Sequence, residues 1–188
     1  MEIPESLKQR IDGLLHTKER VIVAVDGRCG SGKSTFGKLL ADEYRCALVH
    51  MDDFFLRVSQ RTPERLATPG ENVDHERFLE EILLPIRRGE AAVLRPFDHS
   101  VFAPRGEFPV PKTPLTVIEG TYSCHKALRD YYDLCIFVTT DSETQMKRIT
   151  VREGADIAGQ YRTRWIPLEE LYFSTLDIPA LFDFVIET

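Results

Sequence analysis

At 188 residues with a formal charge of −6, the chain is long enough for one substantial core and short for two. The acidic balance and the lack of a Lys/Arg block argue against a nucleic-acid partner, and 43% hydrophobic with 29% charged residues argues against disorder. No apolar run is long enough to cross a bilayer, 1–18 does not read as a secretory leader, and Cys29, Cys46, Cys124 and Cys135 show no C-x-x-C spacing. A reduced, cytoplasmic protein with no membrane contact, disulfide framework or zinc site is expected.

In chain order, Leu7, Ile11, Leu14 and Leu15 fall at helical spacing, which predicts a flanking helix over 6–16. A β-branched run over 21–25 carries no charge until Asp26 and reads as a strand buried on both faces. It breaks into Gly27-Arg28-Cys29-Gly30-Ser31-Gly32-Lys33-Ser34-Thr35, which matches G-x-x-x-x-G-K-[ST] between a strand and a helix predicted over 36–44. That setting makes the loop a phosphate cradle. Gly27, Gly30 and Gly32 let the backbone N–H groups of the loop, Cys29 and Ser31 included, turn towards phosphate oxygens. Lys33 offsets charge on the β- and γ-phosphates, Ser34 is placed to ligate Mg²⁺, and Thr35 starts the helix.

A second buried strand is predicted over 46–51, ending in Asp52-Asp53-Phe54-Phe55. Residues 53–114 read as an acceptor-binding insertion within one domain: a helix that Asp74 caps, carrying Phe78, Leu79, Ile82, Leu83 and Ile86, then a proline-punctuated flap over 91–114. Further strands are predicted over 115–120, 133–138 and 182–186, with helices over 126–131, 142–153 and 167–176 between them. Strands alternating with helices predict an α/β fold with a mostly parallel five-stranded sheet, covered on both faces, and a lid over 142–165.

With a nucleoside triphosphate in the loop, transfer to a small molecule is favoured, because no guanine-reading N-K-x-D pattern occurs. Such transfer needs a carboxylate to deprotonate the attacking hydroxyl and acids to hold Mg²⁺. Asp52 is the candidate base, also within reach of the metal. Asp53, on the opposite face, supports it from behind. Glu119, at the end of the strand expected beside the loop strand, is the second metal-shell acid. Asp74 reads equally as a helix cap or as an acceptor ligand. Arg148 and Arg152 lie where a lid folds over the triphosphate, Arg148 as the group that meets the transferring phosphoryl. His75 and His99 flank the acceptor region, while His16, His50 and His125 stand at no metal-ligand spacing from an acid, so histidine is not expected to bind metal. Phe54, Phe55, Phe97 and Phe102 could wall a planar acceptor or simply pack.

Together, the phosphate loop, Met51-Asp52-Asp53-Phe54-Phe55, Asn72-Val73-Asp74-His75, Pro96-Phe97-Asp98-His99, Ile118-Glu119-Gly120, 133–138 and Gln160-Tyr161 with Pro167 resemble the uridine kinase branch of P-loop kinases. That branch also holds nicotinamide riboside kinases, phosphoribulokinases and bacterial pantothenate kinases. The resemblance covers 21–187 and implies the P-loop nucleoside triphosphate hydrolase fold, ATP and Mg²⁺ as cofactors, and phosphoryl transfer to a hydroxyl of a nucleoside-like acceptor. It implies Asp52 as base, Asp74 on the acceptor's ribose hydroxyls, Glu119 near the metal, Arg148 and Arg152 in the lid, and Phe97, His99 and Gln160 near the acceptor. Two departures are visible: the arginine run of the lid is shortened after Arg152-Glu153-Gly154, and the hairpin tyrosine of uridine kinases is Phe97. The alternatives are another acceptor of the branch (pantothenate, nicotinamide riboside or a sugar phosphate) and a non-catalytic nucleotide-binding regulator. The sequence leaves self-association open.

Overall fold

The structure is a computed structural model that describes residues 1–98, 103–175 and 177–188. Helix α1 (Glu5–Thr17) turns Leu7, Ile11 and Leu14 inward, as their spacing predicts. Strand β1 (Val21–Gly27) runs into the phosphate loop and α2 (Lys33–Tyr44), which starts at Lys33 itself and so sets its first N–H groups beside the loop. Strand β2 (Ala47–His50) ends in a 3₁₀ turn, Met51–Asp53, that carries both acids.

The insertion contains a short helix α3 (Pro63–Ala67) and a longer helical run: α4 (His75–Phe78), a π-helical stretch Leu79–Leu83, and α5 (Leu84–Arg88). The apolar spacing of that run survives the wider turn, with Phe78, Ile82 and Leu83 buried. The flap is an antiparallel hairpin of two nested ladders, β3 (Val93–Leu94) on β6 (Phe108–Pro109) and β4 (Phe97–Asp98) on β5 (Ala103–Pro104). His99 and Phe102 lie outside the described residues.

The chain re-enters the sheet as β7 (Leu115–Glu119) and β8 (Leu134–Thr139). The helix expected over 126–131 is reduced to a 3₁₀ turn, Arg129–Tyr131. The return from β7 to β8 is short, and its first residues are held by hydrogen bonds to Asp26. Then follow α6 (Ser142–Glu153), α7 (Ala155–Gln160), a π turn at Tyr161–Trp165, α8 (Ile166–Thr175) and β9 (Phe184–Glu187).

The five main strands are parallel, in the order β2-β7-β1-β8-β9. Central β1 splits its side chains between two cores: Ile22 joins Met51, Phe54, Phe78 and Tyr172 on one face, and Val21, Val23 and Val25 join Leu7, Phe36 and Leu40 on the other. The register pairs Val25 with Glu119 and Glu119 with His50, so the carboxyl ends of β1, β7 and β2 finish side by side. The functional residues gather at that edge, where open parallel sheets bind ligands.

Candidate active site

The loop is built around Asp26, the last side chain of β1. Its buried carboxylate accepts the N–H of Gly27 (2.6 Å), Tyr122 (3.1 Å) and Cys124 (2.9 Å) and the Tyr172 hydroxyl (2.9 Å). Burial raises this carboxyl, and the bonds from Cys124, Gly27 and Tyr172 together with the charge of Lys33 oppose the rise. Beyond it, Gly27 lies against the Val138 backbone so closely that a Cβ would overlap it. Gly30 and Gly32 take φ of 72° and 90°, the left-handed region that lets the chain curl. Buried Lys33 bends back so that Nζ donates to the Arg28 carbonyl at 2.8 Å.

Cys29 is clamped from two sides. Its N–H donates to Glu169 Oε2 (2.9 Å), and its carbonyl accepts from Gln145 Nε2 (2.9 Å). Glu169 is buried at the start of α8, and that burial raises its carboxyl against the pull of Lys33 and Cys29. Burial and Glu169 together push the Cys29 thiol up to about 12, so it stays protonated and unreactive.

Glu119, buried at the end of β7, takes the Ser34 hydroxyl at 3.1 Å on one oxygen and His50 Nδ1 on the other. The bond to Glu119 raises the His50 imidazole. Gly37 makes room for this acid: a Cβ there would sit 3.1 Å from Glu119 Cβ. Asp52 stands one strand away with its carboxylate open to the cleft. The protein packed around it raises its carboxyl, with Lys33 opposing and Glu119 adding to the rise. Its opening to the cleft does not undo this, because a carboxylate inside a concave wall is reachable by water and still poorly solvated.

Lys33, Ser34, Asp52, Glu119, Arg148 and Arg152 line one cleft of about 720 Å³, as do Cys29, Gly30, Gly32 and Thr35. Gly27 and Ser31 lie behind it, both buried. Arg148 is turned to the rim, donating to the Gly30 carbonyl (3.3 Å) and to Thr188 Oγ1 (2.7 Å). Three residues predicted for the acceptor do not line the cleft. Asp74 is buried and caps α4 by accepting the Arg77 N–H at 3.2 Å, with the Arg57 and Arg77 guanidinium groups 3.4 and 3.7 Å away. Phe97 is buried in the hairpin, and Gln160 is exposed at the end of α7.

The cleft also contains residues that the sequence did not single out. Asn72, Arg61 and Leu66 come from the insertion, Thr121 from the loop after β7, and Tyr161, Arg164 and Trp165 from the π turn, which is why helical periodicity did not find them. Glu169 reads in sequence as a surface acid two residues after a helix-starting proline. Asn72 had a signal, its place two residues before Asp74.

The arrangement fits a Mg²⁺-bound triphosphate on the chain's own donor set: a glycine cradle that a Cβ would fill, a buried ammonium, and a hydroxyl and carboxylate already paired beneath it.

No family model matches the chain. It is 29% identical over 155 residues to uridine-cytidine kinase B of Dictyostelium discoideum, covering 75% of this chain and 61% of that protein. It is also 29% identical over 143 residues to the uridine kinase of Staphylococcus haemolyticus, covering 70% and 68%. The chain thus spans about 61% of the first of these relatives. Among solved structures, a possible uridine kinase from Bacillus stearothermophilus superposes with a TM-score of 0.67 over 96% of this chain and 99% of that one, at 20% identity, a likeness of fold. In its loop, sheet order and sequence the chain is thus similar to these uridine kinases.

Proposed function

We propose that the protein is an ATP-dependent phosphotransferase that moves the γ-phosphoryl group to a hydroxyl of a nucleoside-like small molecule, uridine first among the candidates. The observation that carries this reading is the meeting of Ser34 and Glu119 at 3.1 Å beneath the phosphate loop, with Asp52 one strand away on the same cleft.

In this reading the loop and Lys33 hold the triphosphate tail. Ser34, Glu119 and Asp52 would hold Mg²⁺, which would offset charge on the β- and γ-phosphates. Asp52 accepts the acceptor hydroxyl's proton as that oxygen attacks, a task suited to a carboxylate raised above its ordinary range. Arg148 leaves the rim and meets the transferring group, with Arg152 beside it. Asp74, Phe97, Gln160 and His99 are proposed for the acceptor on their sequence motifs. A second acceptor class, a sugar phosphate or pantothenate, is favoured by Arg61, whose Nε is anchored on the Leu56 carbonyl at 3.0 Å on the cleft's acceptor wall.

No helix among the described residues is long and apolar enough to cross a membrane. The test is ADP release from Mg-ATP across a panel of uridine, cytidine, nicotinamide riboside, pantothenate and sugar phosphates. Turnover that depends on one acceptor supports the reading and names the class. Slow release indifferent to all of them sinks it in favour of a nucleotide-binding regulator.

A further inference from the structure

We propose that Glu71, His75 and His125 form a second cation site, apart from the phosphate loop, that takes a divalent transition ion of the zinc type. The proposal is independent of the kinase reading. One ligand atom from each residue lies within 4.8 Å of the other two. Glu71 is the common partner: Oε2 lies 2.9 Å from His75 Nε2, and Oε1 lies 3.5 Å from His125 Nε2. With metal bonds of about 2.0–2.2 Å, neighbouring ligands in a tetrahedral shell stand roughly 3.3–3.6 Å apart. Both spacings are near that value before any ion arrives.

The two imidazoles are stacked, centroids 4.2 Å apart and 19° from parallel, so their Nε2 atoms face the same carboxylate. The His125 side chain is fully buried and its Nε2 has no hydrogen-bond partner, which the protein interior does not usually tolerate. The other nitrogen of His75 lies 3.7 Å from Glu76, the carboxylate-backed arrangement that orients ligating histidines. His125 Nδ1 receives the Ala127 N–H at 3.3 Å. This long contact is released when the ring carries its own proton on Nδ1 and offers the Nε2 lone pair. Arg65, 3.5 Å from Glu71, already holds Glu76 through two bonds of 2.8 and 2.7 Å and retains them when Glu71 turns to the metal.

Two imidazoles and one carboxylate suit zinc and its neighbours, while Mg²⁺ prefers oxygen ligands, so the nucleotide's cation does not compete. Three protein ligands leave a fourth position for water. The ion would join Glu71 and His75, which flank Asn72, to the loop that Asp26 holds through Tyr122 and Cys124. Acceptor side and nucleotide side would then share one anchor.

The test adds Zn²⁺, and Co²⁺ as a spectroscopic stand-in, to the full chain after chelator treatment, without nucleotide or Mg²⁺. Expected are one ion per chain, the visible d–d bands of a four-coordinate nitrogen and oxygen site without a thiolate charge-transfer band, and a Tm that rises with Zn²⁺. His75→Ala and Glu71→Gln should each lose bands and Tm increment while keeping the parent's circular dichroism and Mg-ATP binding. X-ray absorption on the Zn²⁺-loaded parent, which needs no variant to fold, should show imidazole in the shell. Failure to bind one ion, sulfur in the shell, or bands that persist in both variants would each overturn the proposal.

Discussion

Asp26→Asn tests the physical basis of the loop. An amide keeps the size of the carboxylate but must place NH₂ where one oxygen was, and each oxygen accepts from two donors. The better orientation puts NH₂ on the Cys124 side, because the Tyr172 hydroxyl can rotate to accept from it while the Cys124 N–H cannot. One buried N–H is then orphaned, at about 1–3 kcal/mol, and the surviving bonds to Gly27 and Tyr122 lose their charge assistance, at about 0.5–1 kcal/mol each. Relief of a buried charge returns part of this. A net loss of about 3 kcal/mol corresponds to a Tm lower by roughly 6–12 °C for a chain of this size. Tyr172→Phe removes one donor and leaves the carboxylate three partners, so it should cost only about 1–2 kcal/mol. Urea titration followed by circular dichroism, with calorimetry on the same samples, reads both. An Asp26→Asn variant within about 0.5 kcal/mol of the parent, or a Tyr172→Phe loss as large as that of Asp26→Asn, would refute the idea that this carboxylate holds loop, β7 return and α8 together.

Three further outcomes follow from the same contacts. Asp52 is raised by its surroundings, so the acid limb of kcat/KM should lie above the ordinary carboxylate range. Asp52→Asn should lower turnover about 10²- to 10⁴-fold and abolish that limb while Mg-ATP still binds. Burial pushes the Asp133 carboxyl upward, but bonds from Lys18 (2.7 Å), the Ile22 N–H (2.7 Å) and Arg87 outweigh it, and the net shift is down. Its stabilisation is therefore complete above the unfolded carboxylate value and lost as pH falls through the lower folded one. Asp133→Asn should cost about 2–3 kcal/mol at neutral pH and flatten the acid side of the stability profile measured by urea titration. Gly27→Ala, at φ 140° against the Val138 backbone, should cost about 2 kcal/mol or more and weaken nucleotide binding, read by calorimetric titration with ATP.

The nucleotide half of the site was legible because its signals are local. A charge-free strand, a glycine pattern and a helix start occupy consecutive residues, and Glu119 needs only the inference that its strand neighbours β1. The acceptor half was not, because its parts meet only in space. Glu71 and His75 stand beside His125, fifty positions beyond His75, through a fold that no spacing rule anticipates. Glu169 is one of two adjacent acids in α8, and burial alone sets it apart. The expected helix over 126–131 followed side-chain pattern, whereas the short β7 return followed the backbone bonds that Asp26 demands.

The wide turn at Tyr161–Trp165 acts as an offset in helical phase between α7 and α8. Deleting a single residue there would let the helix wind regularly and would rotate α8 by about 100° against the lid. Glu169 would swing off the Cys29 amide, and Tyr172 off Asp26, although neither had been altered. The count of residues in this turn, more than their identity, therefore sets which way α8 faces.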